Sequence, residues 1–430
     1  MTNMKRFATN DLAIFLLLTF YSYHSPAQQA GQEIFQGADL YADVVRYVNF
    51  GIHRTGTEGD NKTSEWIKEI LGKNGFKTEY VTFPVEQFFP EKTQLKIGKR
   101  SIEIFPVWPV LNAGVNITSQ LVEANKDARD FSGKIVWINQ QSKERSFSFM
   151  DEENAAEIKK IIDAGAKAII LVADNAAGEI AAINTLPGVS YPIPVVQVAP
   201  KDIANLTTHG FATLTITGKL KKVTARNIQG TFGSGDKTII ISTPISGWFT
   251  CGGERGPGIA TFNALAKWVA EKKLPYKFIF TGNSGHELAQ HQGTHIFLHE
   301  KAPKPADVRL WVHLGASFAT YSYTKSDKGL VRQAIADNKR IVYFAGNVGN
   351  SVNQAFGSIA IQQVKDKAYG ELVVAQKQGY SPFIGFVGTS SFPLFHTKLD
   401  DASTTSPALL EEMANAIKQV IETELGKDKI

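Results

Sequence analysis

Apolar positions come in two textures along this chain. From residue 227 onward, near-continuous apolar runs alternate with stretches of helical periodicity. The runs are Lys237-Thr-Ile-Ile-Ile-Ser242, Lys277-Phe-Ile-Phe-Thr281, Val308-Arg-Leu-Trp-Val312 and Arg340-Ile-Val-Tyr-Phe344, and the helical stretches are Gly258 to Glu271, Glu287 to His299 and Pro407 to Leu425. Strands that are apolar at nearly every position are covered on both faces, so the pattern predicts an α/β fold: a mixed, mostly parallel sheet with helices on both faces. Between Phe88 and Lys222 the texture changes to short β-rich runs broken by Gly and Pro, such as Gln94-Leu-Lys-Ile97, Lys134-Ile-Val-Trp-Ile138, Ala168-Ile-Ile-Leu-Val172 and Ile193-Pro-Val-Val196. One helix interrupts them, from Asn154 to Ala164, stopped by Gly165. Earlier still, Trp66, Ile67, Ile70 and Leu71 recur at helical spacing beyond the turn Gly51-Ile-His-Arg-Thr-Gly-Thr-Glu-Gly59, and Thr78 to Thr82 reads as a strand.

The first residues read as a secretory signal over 1–27: Lys5 and Arg6, the apolar run from Leu12 to Phe20, then the small-residue exit Ser25-Pro-Ala27. The mature protein is therefore expected to be secreted or periplasmic. No later stretch reaches the roughly 18 uninterrupted apolar residues of a membrane span. The net charge of +5 falls to +4 once Lys5, Arg6 and Asp11 leave with the leader. Charges of both signs are interspersed, which points to a small-molecule or peptide-like substrate and away from nucleic acid or a membrane surface. A single cysteine, Cys251, excludes an internal disulfide. A chain of 430 residues exceeds what one core usually serves. Residues 28–87 and 223–430 are expected to form a core, with 88–222 inserted as a binding or lid module, since that stretch has no cluster of His, Cys or paired carboxylates.

Candidate chemistry collects at strand ends, where open α/β sheets place their sites. His286 and Glu287 directly follow the strand ending at Thr281; Glu254 stands in Cys251-Gly-Gly-Glu-Arg-Gly-Pro-Gly258, His313 after Val312, and His396 in Phe395-His-Thr-Lys-Leu-Asp-Asp401. Arg255 reads either as the partner of Glu254 or as a contact for an anionic substrate group. Trp248 reads as a pocket wall or as plain packing. Cys251 reads as a small core residue before a nucleophile. His291, His295 and His299 repeat at helical spacing as a polar stripe that could instead hold a metal. Asp400 and Asp401 read as acceptors orienting His396 or as a helix cap. His53 and His209 read as surface or loop residues.

These segments together resemble the zinc aminopeptidase family that includes bacterial leucyl aminopeptidases, glutamate carboxypeptidase and the glutaminyl cyclases. Residues 51–83 look like its N-terminal helix and strand, and 227–425 like its peptidase core. Residues 88–222, with Gly133-Lys-Ile-Val136 and Ala164-Gly-Ala166, resemble the protease-associated domain inserted in several members. The resemblance implies a metal centre, which this chain alters. The family's His-x-Asp falls on Thr243-Pro-Ile245, its bridging Asp on Glu254, its Glu-Glu pair on His286 and Glu287, and a further Asp on His313, while His396 keeps the late ligand. Pro244 and Ile245 cannot coordinate, so a two-zinc centre is excluded. The resemblance leaves one zinc at Glu254, Glu287 and His396, or none. It implies a hydrolase acting on an amide or related bond, with His286 as general base, His313 and Glu254 as further catalytic groups, and Arg255 and Trp248 lining the substrate pocket. A metal-free enzyme of another substrate class, such as a glycan hydrolase, and a binding protein without catalysis stand as alternatives. Of the six changed positions around the centre, Thr243, Ile245, Glu254, Arg255, His286 and His313, the polar replacements at 254, 286 and 313 suit a rebuilt site.

Overall fold

The computed structural model describes residues 34–427 apart from 125–129, 141–149, 207–209, 288–289, 328 and 389–390, so the leader expected at 1–27 and His209 lie outside the described residues. A sheet of fourteen strands runs through the molecule. Its core half has the order Gln362–Lys365, Ile341–Ala345, Phe383–Val387, Val308–Leu314, Thr238–Pro244, Lys277–Asn283 and Gly210–Phe232. The four central strands pair in parallel from Phe383–Val387 through Val308–Leu314 and Thr238–Pro244 to Lys277–Asn283, as their apolar character predicts. Thr238–Pro244 is buried at every position. Helices Gly37–Asn49, Gly256–Lys272 and Pro407–Gly426 pack over it through one apolar cluster that includes Val44, Phe262, Leu265 and Ile417. Phe297, Trp311, Tyr343 and Leu372 build a second cluster around the same strands. Among the described residues no helix is long and apolar enough to cross a membrane.

The stretch from 88 to 222 continues this sheet. Lys77–Ile97 and Gly210–Phe232 pair antiparallel along their whole length, with one register shift between Pro90 and Lys92. Neither strand breaks at 87/88 or at 222/223, so a separate protease-associated domain is not evident from the sheet. The strand expected at Thr78 to Thr82 is only the first part of the longer one. Beyond it, Gly114–Glu123, Ile135–Gln140, Ala168–Ala173 and Val195–Val198 extend the sheet, covered by two further apolar clusters of their own. The expected helix at Asn154 runs Glu152–Asp163, because the Asp151 carboxylate accepts a hydrogen bond from Asn154 N and caps it. Gly165 ends it at φ +87°, a left-handed conformation that favours glycine.

One helix starts later than its periodicity predicts. The segment expected from Glu287 becomes helical only at Gln292, since Gln290 and His291 take left-handed backbone conformations with φ of +52° and +66°. The consequence is local: His286 and Glu287 stand on a turn between strand and helix.

Candidate functional site

The site forms where the central parallel strands end. After Thr238–Pro244 the chain turns through Ser246 to Cys251 and enters the Gly256–Lys272 helix, which puts Glu254 and Arg255 at its start. This turn is pinned from outside. Asp400 accepts from Gly253 N at 2.6 Å and from Glu254 N at 2.9 Å. Gly252 and Gly253 are required by that approach: a Cβ at Gly252 would lie 2.2 Å from the Asp401 carbonyl carbon, and one at Gly253 would lie 2.5 Å from Thr404 Oγ1. Asp400 therefore holds the loop instead of orienting His396, and Asp401 caps the short helix Ala402–Thr404. Burial, reinforced by the charge of Glu254, pushes the Asp400 carboxyl up to about 8.

Glu254, Glu287 and His396 each offer one ligand atom within 4.8 Å of the others, and all three are buried; this group could bind a metal. His396 donates from Nδ1 to the Ala182 carbonyl at 2.9 Å, which turns Nε2 toward Glu254 Oε1, 3.5 Å away. That is the tautomer a metal ligand needs. Yet a cation already stands among the carboxylates. Arg255 Nη2 lies 2.7 Å from Glu254 Oε1 and donates a short hydrogen bond to Glu287 Oε1, while Arg255 Nε donates to the Ser246 carbonyl at 2.9 Å. The Arg255 side chain is fully buried. A guanidinium carries no lone pair for coordination and keeps its proton. A zinc ion would have to displace it from both carboxylates, so the residues as packed do not fit the metal.

The electrostatics follow from two carboxylates sharing one guanidinium. Burial would raise Glu254, but Arg255 and His396 overcome it and hold its carboxyl well below the ordinary range. Burial raises Glu287, and the charge of Glu254 adds to that against the opposing pull of Arg255. One of the pair thus keeps its charge and the other tends to keep a proton. Thr243 and Ile245, where the resemblance would put ligands of a second metal, are packed: Thr243 Oγ1 donates to the Leu314 carbonyl at 2.9 Å, and Ile245 lies in the apolar core.

Beside this knot opens a cavity of about 610 Å³. Its wall includes Arg255, Glu287, His286, His291, His295 and His313, but neither Glu254 nor His396. Arg255 thus stands on the cavity side of the two buried groups. Gly285, at φ +79°, makes the turn that presents His286, and Ser246 Oγ accepts from the backbone N–H of Gly285 at 3.1 Å and of His286 at 3.2 Å. The His286 ring is fixed by a residue that no sequence signal marked. Glu371, nearly fully buried, accepts from His286 Nδ1 at 3.0 Å and from Asn283 Nδ2 at 3.3 Å. A carboxylate opposite Nδ1 makes that nitrogen the donor and leaves the lone pair on Nε2. Burial and the charge of Arg255 hold His286 well below the usual imidazole range, so the ring is neutral near pH 7.

His313 takes the opposite tautomer. Ser242 Oγ lies 2.9 Å from His313 Nδ1 and accepts from Trp311 Nε1 at 2.8 Å. An indole N–H can only donate, so the arrangement that satisfies every group has the serine hydroxyl donating to Nδ1, which leaves His313 with Nε2–H. Burial pulls His313 down to about 4 and His291 to about 3. The cavity is thus faced by neutral imidazoles, one offering a lone pair and another an N–H.

Of the remaining expectations, Trp248 belongs to packing: it lies in the apolar cluster with Trp108 and Phe249, and its Nε1 donates to Asn184 Oδ1 at 2.7 Å. Asn184, with Thr185 and Pro187 from the 88–222 stretch, reaches the cavity in its place. Cys251 is a buried core residue whose thiol is pushed well above its ordinary value by burial and by Glu254. His291 and His295 reach the cavity wall, but among the described residues the histidine stripe forms no metal-ligand group. His53, expected as a surface or loop residue, lies in the loop before Glu58–Lys73 but is buried there and stacks on Tyr47 at 3.8 Å between ring centroids.

No protein-family model matches the chain, and no curated protein matches it by sequence. Solved structures do. A zinc aminopeptidase from Bacillus subtilis superposes with a TM-score of 0.70 at 17% identity, over 91% of this chain and 96% of that one. An aminopeptidase from Aneurinibacillus sp. strain AM-1 gives 0.64 at 16%, over 90% and 93%. A peptidase precursor from Shewanella amazonensis gives 0.69 at 15%, over 90% and 92%. At such identities the likeness establishes an aminopeptidase-like fold.

Proposed function

We propose that this chain is an exported hydrolase of an amide or related carbonyl bond, with His286 as its general base and a small or peptide-like substrate in the cavity. The observation that carries the reading is the His286 ring on the cavity wall with Nδ1 held 3.0 Å from the buried Glu371 carboxylate. A base needs its lone pair toward the reacting water and a second group fixing the ring, and this pair supplies both. In the proposed step, water attacks the carbonyl carbon, its proton passes to His286 Nε2, and the same proton is returned to the leaving nitrogen as the bond to carbon breaks. His313, as the Nε2–H tautomer, donates to the oxygen on which charge develops. The amide class is supported by the two like-folded aminopeptidases. No step is assigned to a metal, because Arg255 holds both carboxylates that would bind it.

A second reading, a binding protein without turnover, is favoured by one observation: Arg255 screens Glu254 and His396 from the cavity. A panel of aminopeptidase, dipeptidase, glutaminyl cyclase and glycan substrates separates the two. Turnover that falls by about 10²–10⁴ in kcat in His286→Ala, with substrate affinity kept, supports the enzyme. Silence across the panel, with ligand binding unchanged in His286→Ala, supports the binding protein.

A further inference from the structure

We infer that Arg255 is a built-in cation standing at a latent metal site, so that Glu254, Glu287 and His396 are filled from within the chain and bind zinc only once Arg255 is removed. The placement carries the argument. One nitrogen, Nη2, contacts an oxygen of each carboxylate, Glu254 and Glu287, and these belong to the three residues whose ligand atoms lie within 4.8 Å of one another. An atom shared between two ligand oxygens stands where a bound ion would stand. Ser246 fixes the same guanidinium through Nε, and the side chain is fully buried. The third ligand is prepared: the Ala182 carbonyl takes Nδ1–H of His396 and leaves Nε2 turned toward Glu254.

Charge distinguishes this from an ordinary ion pair. Two buried carboxylates face one guanidinium, whose Nη2 contacts an oxygen of each. A divalent ion in the emptied cradle would balance the charge of both. Two carboxylate oxygens and one imidazole are a donor set that zinc accepts with its fourth position left to water. In the native chain the same set serves as a staple between the start of the Gly256–Lys272 helix, the turn after Lys277–Asn283 and the loop carrying His396. This inference does not depend on His286 being a base.

The test uses the full mature chain and zinc alone. Wild type, equilibrated with zinc and then desalted, is expected to hold no stoichiometric zinc by elemental analysis, to show no heat of binding on titration, and to keep its Tm with zinc or with chelator. Arg255→Ala and Arg255→Met are expected to bind one zinc per chain and to gain Tm on zinc addition; the further change His396→Ala should abolish that binding. Should Arg255→Ala fold only with zinc present, Arg255→Lys keeps a cation in place and is expected to fold zinc-free. One zinc in wild type that is lost in His396→Ala would overturn the inference. So would a folded Arg255→Ala that takes up none. Turnover by wild type is scored separately, so failure here leaves the His286 assignment to its own assay.

Discussion

Two groups of ionisable side chains lie next to each other in this molecule and are built on opposite terms. In the knot of Glu254, Arg255, Glu287 and His396, charge is neutralised inside the chain, and two of its four members do not reach the cavity. Along the wall of His286 and His313 the rings are neutral, each has one nitrogen fixed by a buried partner, and both face the cavity. A charge network closed within the chain fixes structure, whereas a neutral imidazole with an uncommitted nitrogen can exchange protons. On an aminopeptidase-like fold the two carboxylates are tied into a staple, and the neutral imidazoles that face the cavity lie beside them.

The comparison breaks first at Arg255. Removing it leaves two buried carboxylates without their cation, and Arg255→Ala is expected to lose about 3–5 kcal/mol of stability in metal-free buffer, measured by denaturant unfolding. A loss below about 1 kcal/mol would mean that the knot is not a staple. Next comes Asp60, fully buried, which accepts from Ser284 Oγ and Gly56 N through Oδ2 and so ties the early turn to the His286 loop. Burial raises its carboxyl from 3.8 to about 7. Its contribution to stability is complete below pH 3.8 and is lost as pH rises through about 7. Asp60→Asn, with its Oδ1 in the place of Asp60 Oδ2, keeps the acceptor and removes the titration, so at pH 9 it is expected to be more stable than wild type by up to about 4 kcal/mol, with the gap closing at pH 4. Parallel Tm curves for the two proteins across that range would contradict the assignment.

Much of the fold was legible and part of the site was not, for reasons that particular residues make plain. The strands at Lys237, Lys277 and Val308 could be read because runs buried on both faces are apolar throughout; Glu287 could be read from its place after a strand, whereas Glu254 and His396 came from the resemblance. Glu371 was invisible: it follows Gly370 at the start of a six-residue helix, and nothing local tags a carboxylate whose partner lies 85 positions earlier. Arg255 was half legible, as one of two readings, because sequence shows that a guanidinium stands beside Glu254 but not that it also spans to Glu287. The start of the helix at Gln292 was masked by periodicity that continues back through the left-handed residues Gln290 and His291. The loop position of His53 was legible but its burial was not, because that depends on stacking with Tyr47, a contact that only the folded chain makes.

Smaller effects sharpen the contrast. Glu371→Gln keeps an acceptor for His286 Nδ1 but loses its charge, and is expected to lower kcat by about 10–100-fold with KM little changed, as for a positioning residue. Its Tm should stay near that of wild type, and a change in KM alone would count against the role. Smallest of all is Cys251: buried and protonated, it should resist alkylation in the native state, and Cys251→Ala should leave turnover unchanged.

The most direct test of the central claim compares turnover by metal-stripped wild type with turnover by His286→Ala on the best substrate of the panel. The account expects stripping to leave kcat unchanged and His286→Ala to lower it by about 10²–10⁴. Activity that vanishes on stripping and returns with zinc, while His286→Ala stays active, would contradict it.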